Sequence, residues 1–275
     1  MTKDHDQRFR GDPRRAESVE VCVAALELKI SPEEFVRKAN IQTDCFIANQ
    51  TDRFEMEETA VSGHRVRVMH TAERGVGLNR NNAWMRAEGD IVLFCDDDMV
   101  YYDGYAEKVL KIFREHPEAD VVLFNIDEPG ESGRRQFGKT FYTKKTGFGA
   151  VRIAVRRVTA QMHGIFFNLH FGGGCAFGHG EDTLFLSACV REGLKMLVWP
   201  EAIARLTDER PSTWASGDPD QRFFDDGVLD AASGARFPIL VTALSDLRHG
   251  KLRLSGAYLK TLKKEKEGIR YFRKI

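Results

Sequence analysis

Short apolar runs alternate with helix-forming stretches along this chain, and that rhythm limits the folds open to it. Val19 to Leu26 (VEVCVAAL), Asp44 to Asn49 (DCFIAN), Arg65 to His70 (RVRVMH), Asp90 to Cys95 (DIVLFC) and Asp120 to Ile126 (DVVLFNI) each read as strands. Such unbroken apolar runs suit strands covered on both faces. Helices fall between them. Ser31-Pro32-Glu33-Glu34 offers an N-cap, a proline at the first helical position and an acid three residues after the cap, so a helix runs to near Asn40. Gly75 to Glu88 reads as a loop entering a helix, and Tyr105 to Glu115 as another. Strands joined through helices imply right-handed crossovers and a mostly parallel central sheet.

The second half is less regular. Glu128 to Gly138 is rich in glycine and charge and marks the end of the first half. Val151 to Val155, Ile165 to Leu169 and Lys195 to Trp199 are further strand candidates, with a helix over Glu181 to Arg191. Residues 1–17 are polar and read as a flexible lead-in.

Charge and cysteine content narrow the function. The chain has 275 residues, with Lys plus Arg at 41 and Asp plus Glu at 41. Zero net charge argues against a general nucleic-acid binder. The five cysteines include no C-x-x-C pair, so a reducing compartment is expected rather than a disulfide framework. The first residues lack the apolar core of a signal peptide, and the longest apolar run, Phe237 to Leu244, is too short to span a bilayer. These features lead us to expect a cytoplasmic protein.

The strongest chemical signal is Asp96-Asp97-Asp98, directly after DIVLFC. Ligands of open α/β sheets sit at the carboxyl ends of strands. Three carboxylates crowded there repel one another unless a cation neutralises them. Asp96 and Asp98 can converge on a hard cation, Mn²⁺ or Mg²⁺, that keeps open positions for phosphate oxygens. D-x-D spacing also occurs at Asp4/Asp6 and Asp218/Asp220, but only the middle copy follows a long apolar strand. An EF-hand is excluded, because Val100 and Tyr101 stand where its ligand and glycine belong. The competing reading is a set of solvated carboxylates before the helix after Tyr102.

These residues carry a resemblance. Glu73-Arg74-Gly75-Val76-Gly77-Leu78-Asn79-Arg80-Asn81-Asn82-Ala83, a short helix, a strand and then Cys95-Asp96-Asp97-Asp98 resembles glycosyltransferase family 2. Members often read N-x-G-x-x-x-A-R-N before a helix, then a strand and D-x-D. Gly75, Arg80 and Asn81 match, while Glu73 and Asn79 depart. Gly180-Glu181-Asp182-Thr183-Leu184-Phe185 is similar to the family's G-E-D motif, whose Asp is usually the catalytic base. Ser212-Thr213-Trp214 and Phe223-Phe224-Asp225 resemble a subgroup found in bacterial capsule and exopolysaccharide clusters. Two departures concern the nucleobase. Asn49-Gln50-Thr51-Asp52 stands where many members carry D-D-G-S, and Ala24-Ala25-Leu26 where many have a proline.

The resemblance implies the GT-A fold: a Rossmann-like, mostly parallel α/β sheet flanked by helices. It spans about 18–236, with the nucleotide half to about residue 130, the acceptor half after it, and a basic helical tail over 237–275. It implies nucleotide-sugar contacts from Ala25, Asn49, Gln50, Asp52, Gly75, Arg80, Asn81, Asp96 and Asp97. Asp98 with Asp96 would hold the metal. Asp182 and Glu181 would be catalytic, in a substrate-facing region with Gly173, Gly174, His179 and Trp214. The expected activity is inverting transfer of a sugar, UDP-linked for preference, to a hydroxyl of a saccharide or lipid-linked saccharide.

Each assignment has a plainer rival. Glu181-Asp182 also suits ordinary compensation of a helix dipole, worth about 0.3–1 kcal/mol. The glycines at 75 and 77 suit a helix-entry turn, and Trp214 suits a residue packed under its loop. A sugar nucleotidyltransferase would want a glycine-rich basic loop after the first strand, where Ala24-Ala25-Leu26-Glu27 has none. A non-catalytic carbohydrate-binding module needs no such set of carboxylates at the ends of elements. From Arg248 onward ten basic residues face only Glu265 and Glu267, with Tyr258, Leu259, Leu262, Ile269 and Phe272 at near-helical spacing. That pattern fits peripheral contact with an anionic membrane, or a helix docked on the domain with a solvated basic face.

Overall fold

The computed structural model describes residues 12, 14–128, 140–142, 148–207, 218–234 and 256–274. Among these, ten strands form one sheet. They are β1 (Val19–Leu26), β2 (Asp44–Gln50), β3 (Glu55–Val61), β4 (His64–Thr71), β5 (Ile91–Asp96), β6 (Met99–Tyr101), β7 (Val121–Asp127), β8 (Thr140–Tyr142), β9 (Ile153–Arg156) and β10 (Met196–Leu206). The order is β3-β4-β2-β1-β5-β9-β7-β10-β6, with β8 also on β10. The helices are α1 (Pro32–Lys38), α2 (Val76–Trp84), α3 (Tyr105–Glu115), α4 (Arg157–Met162), α5 (Glu181–Arg191), α6 (Pro219–Ala232) and α7 (Gly256–Phe272).

The centre of the sheet follows the expected rhythm: β4, β2, β1 and β5 are parallel neighbours. Ser31 caps α1 by accepting the Glu34 N–H at 3.1 Å, and Pro32 opens the helix. The sheet as a whole is mixed. β9 runs antiparallel between β5 and β7, and β3 runs antiparallel along the edge beside β4. β3 (EMEETAV) is mostly exposed, so it lacks the apolar pattern that marks the buried strands. Its turn to β4, Ser62-Gly63, has positive φ at both residues, the geometry of a two-residue hairpin.

Side chains alternate across the central strands into two cores. Val21, Val23, Leu93 and Cys95 pack with Phe35, Val36, Ile112 and Phe113 on the side of α1 and α3. Cys22, Phe46, Val92 and Phe94 pack with Trp84, Phe167 and Phe185 on the other. Phe94 makes edge contacts with all three of those rings, at centroid distances of 5.6, 4.9 and 5.5 Å. Each such buried ring contributes roughly 1.5–3 kcal/mol through lost water contact.

Two expectations are corrected. Ile165 to Leu169 is not a strand, because side chains of α2 take its backbone groups. Asn81 donates to the Phe167 carbonyl (2.8 Å) and accepts its N–H (2.9 Å), while the Trp84 indole donates to the Ile165 carbonyl (2.9 Å). The lead-in is fixed from residue 14 onward: the Arg156 guanidinium donates to the carbonyls of Arg14 and Arg15. Residues 1–11 lie outside the described residues.

A third, smaller layer covers the site side. Phe171, Phe177 and Val228 pack with Leu184, Phe224, Leu229 and Phe272. α7 lies directly on α6. A β-carbon on Gly227 would stand 2.0 Å from the Glu265 carbonyl oxygen, and one on Gly268 would stand 2.1 Å from that of Phe224. Only glycine permits backbones to approach so closely. The C-terminal helix is therefore a docked element of the fold.

Candidate active site

The site is built where β1 and β5 end beside the start of α2, at the carboxyl edge of the sheet. Arg80 lies at its centre and is 5% exposed. One terminal nitrogen, Nη2, donates to Asp96 Oδ1 at 2.8 Å. The other, Nη1, donates to Glu181 Oε1 at 2.6 Å. The guanidinium lies over the Phe167 ring at 5.5 Å. Burial works against its charge, but Asp96 and Glu181 outweigh that and hold its pKa above the usual value. Three sequence motifs separated by up to 101 residues thus meet at one guanidinium.

Three sets of predicted residues have defined partners. Both terminal nitrogens of Arg80 donate to carboxylates, which orients Asp96. Glu181 is 2% exposed, and its Oε1 accepts from Arg80. The third set is the amide pair at the end of β2. Asn49 accepts the Leu28 N–H and lies 3.3 Å from His70 Nδ1, and Gln50 donates to the carbonyls of Glu73 and Gly75. Both amides are buried and bond within the protein.

The remaining predicted residues divide in the same way. Asn81 is buried and clamps the segment around Phe167. The Ala25 carbonyl accepts from Asn79 at 3.1 Å. Asp52 is exposed on the loop after β2. Asp97 Oδ2 accepts the Leu26 N–H at 3.4 Å, and the Asp98 carbonyl accepts from Thr207. The side chains of Asp96, Asp97 and Asp98 are partly exposed at the cleft edge. Trp214 lies outside the described residues.

The glycine-rich run is a protein contact. Gly173 accepts the Val76 N–H at 2.9 Å, and Gly174 packs against Gly75. A β-carbon on Gly77 would stand 2.3 Å from the Asn168 carbonyl oxygen. Gly77 thus lets the start of α2 approach the backbone of residues 168–171 closely. This seating carries the chain from α2 around to Gly180-Glu181-Asp182.

Asp182 differs from its neighbours. It opens α5 with a partly exposed edge, and its Oδ1 accepts the Thr183 N–H at 2.6 Å. Burial first, and then the adjacent Glu181 carboxylate, push its pKa up from 3.8 to about 6. The Thr183 N–H and Arg80 oppose the rise. A carboxylate in this state is ionised at neutral pH yet a stronger proton acceptor than an ordinary aspartate.

Sequence reasoning missed what lies behind this loop. His179 Nε2 lies 2.8 Å from Asp226 Oδ1, and the Gly178 N–H donates to Asp225 Oδ2 at 2.9 Å. The available signal was the pair of carboxylates after Phe223-Phe224, inside a helix with an apolar face. Among the described residues no three His, Cys, Asp or Glu side chains are grouped to hold a metal ion. A cation at this edge would rest on one or two carboxylates and take other oxygens from its ligand, the usual habit of Mg²⁺.

With this geometry in place, the chain can be set beside known proteins. Residues 49–179 match the family described as Glycosyl transferase family 2. That match spans the end of β2, the whole of α2, the acidic triplet and the glycine-rich run. No curated protein shows a significant match to the sequence. Among solved structures the chain is similar to S. aureus TarS 1-349 in complex with UDP-GlcNAc (TM-score 0.58, 15% identity, 78% of this chain and 66% of that one). Against S. aureus TarS 1-349 the values are 0.58 and 13%, covering 92% and 81%. Against the same protein in complex with UDP they are 0.55 and 15%, covering 78% and 65%. The chain spans about two thirds of the first of these structures. The shared fold is GT-A.

The raised pKa of Asp182 predicts a stability effect of unusual sign. A folded-state pKa above the unfolded one means the carboxylate favours folding below about pH 4 and loses that contribution as pH rises through about 6. At pH 7.5 its charge therefore costs on the order of 3 kcal/mol. Asp182→Asn is expected to melt higher than the wild type at pH 7.5, with the gap closing toward pH 4. Melting curves across that range check it, and an equal or lower melting temperature at pH 7.5 would contradict it.

Proposed function

We propose that this protein is a metal-dependent, inverting glycosyltransferase that uses a nucleoside-diphosphate sugar, UDP-linked for preference. The observation that carries the reading is the convergence of Asp96, Arg80 and Glu181 beside a carboxylate held near pKa 6, at the strand ends where nucleotides bind. The family match and the likeness to structures with UDP and UDP-GlcNAc bound support the donor class. The acceptor is a hydroxyl of a saccharide or lipid-linked saccharide, of the kind assembled by bacterial capsule and exopolysaccharide clusters.

In this mechanism Asp182 takes the proton of the acceptor hydroxyl as its oxygen attacks the sugar C1. The bond from C1 to the diphosphate oxygen breaks, the nucleoside diphosphate leaves, and one displacement inverts the anomeric centre. A divalent cation, Mn²⁺ or Mg²⁺, held by Asp98 with Asp96, would offset charge on the departing diphosphate. Arg80 fixes Asp96 in place for that task, and Glu181 fixes Arg80.

Metal-linked nucleotide binding is tested by thermal shift. UDP should raise the melting temperature more with Mn²⁺ than with EDTA, because ligands of the native state stabilise it by mass action. Asp98→Ala should remove the difference. Equal stabilisation in EDTA would sink the metal role.

The base is tested by turnover. Asp182→Asn should lower the release of UDP from UDP-sugars with acceptor by about two orders of magnitude or more. UDP affinity should stay near wild type. In the wild type kcat/KM should fall as pH drops below about 6, where Asp182 gains its proton. A flat profile from pH 5 to 8 would count against Asp182.

The C-terminal helix supplies a further contact. Lys263, Lys266, Arg270, Arg273 and Lys274 are exposed. Their spacing places them within an arc of about 100°. The apolar stripe is occupied by docking on α6, so we propose adsorption to an anionic membrane through charge alone. Each cation there adds about 1 kcal/mol of attraction that salt weakens. Co-sedimentation with anionic but not neutral vesicles, lost in high salt and in a Lys263→Glu, Lys266→Glu, Arg270→Glu variant, is the expected result. Binding that ignores those substitutions would refute it.

A further inference from the structure

We infer that α6 is the seat of the catalytic loop, and that Asp225 and Asp226 are positioning residues for Asp182. This rests on the reading of Asp182 as the base. Three consecutive loop residues rest on α6. The Gly178 N–H donates to Asp225 Oδ2 at 2.9 Å. His179 Nε2 meets Asp226 Oδ1 at 2.8 Å. Gly180 presses on Leu229, whose methyl carbons stand 2.6 Å from where its β-carbon would be. Gly180 also has a φ of 108°, so neither the conformation nor the space admits a side chain. The next residues are Glu181 and Asp182.

The seat is itself braced. Asp225 is 4% exposed, and its other oxygen accepts from Gln221 at 2.7 Å. A buried carboxylate with both oxygens bonded holds a fixed geometry, since leaving either donor unmet would be costly. The hydrogen bond to Asp226 holds the pKa of His179 above its usual value, so the pair carries opposite charges more readily. α7 locks α6 from behind through Gly227 and Gly268. Among the described residues, the hydrogen bonds of Asp225 and Asp226 go to Gly178, His179 and Gln221, not to α2 or β5, where the proposed donor site lies. Their effect should therefore fall on the base and spare the donor.

That split is the test. Asp225→Ala and Asp226→Ala are expected to lower kcat roughly ten- to hundredfold, as small misplacements of a catalytic group do. Donor KM and UDP affinity should stay within about twofold, because the positioned group acts after binding. Amide exchange of residues 178–184 should quicken, since local contacts set local opening. Asp225→Asn keeps an acceptor for Gly178 and should recover most of the lost turnover. Folded alanine variants with unchanged kcat and exchange overturn the proposal, as does UDP affinity falling in step with kcat. Wild-type protein that releases no UDP from any nucleotide sugar overturns the glycosyl-transfer reading instead, and the exchange data then decide whether α6 seats the loop.

Discussion

One buried cation, Arg80, joins the two halves of this protein's chemistry. It comes from α2, donates to the Asp96 carboxylate at the end of β5 and to the Glu181 carboxylate at the start of α5, and lies over Phe167. A charge in that position would be costly alone. Two carboxylates and an aromatic face make it tolerable, and removing one member leaves another charge uncompensated, at about 3–5 kcal/mol. The same network explains why Glu181 and Asp182, adjacent in sequence, have different parts to play. Glu181 is consumed by Arg80, while Asp182 is left beside that carboxylate with its own pKa raised.

The surrounding packing serves to bring those groups together. The Phe94, Trp84, Phe167 and Phe185 cluster presses β5, α2, α5 and the segment after α4 into one body. Asn81 and Trp84 complete it by taking the backbone groups of residues 165–167. That segment then leads into the run from Phe171 to Gly174, which seats on the start of α2. Hydrogen bonds thus tie residues 165–174 to α2, just ahead of Asp182. On the outer side α6 and α7 add a layer, and Asp225 and Asp226 of α6 bond the residues just before Asp182.

The sequence by itself determined the central elements, because their signals are local. β1, α3 and α5 begin and end at the residues their patterns mark, and Ser31-Pro32 caps α1 as written. The acidic triplet was legible because it follows a long apolar strand, and the glycosyltransferase resemblance because three motifs occur in order. Only the tertiary structure decided which partners the motif residues take. Asn49, Gln50, Asn81 and Glu181 are polar residues in motif positions, and nothing in their identity names the distant groups they bond inside the protein. Their partners lie as far as 101 residues away. The same holds for β3, whose strand nature comes from pairing with β4 rather than from its own polar sequence. Asp225 and Asp226 are a further case, since a helix position becomes part of a site only when the helix docks. Local physics is written in neighbouring residues, whereas burial and charge pairing depend on which distant segments the fold brings into contact.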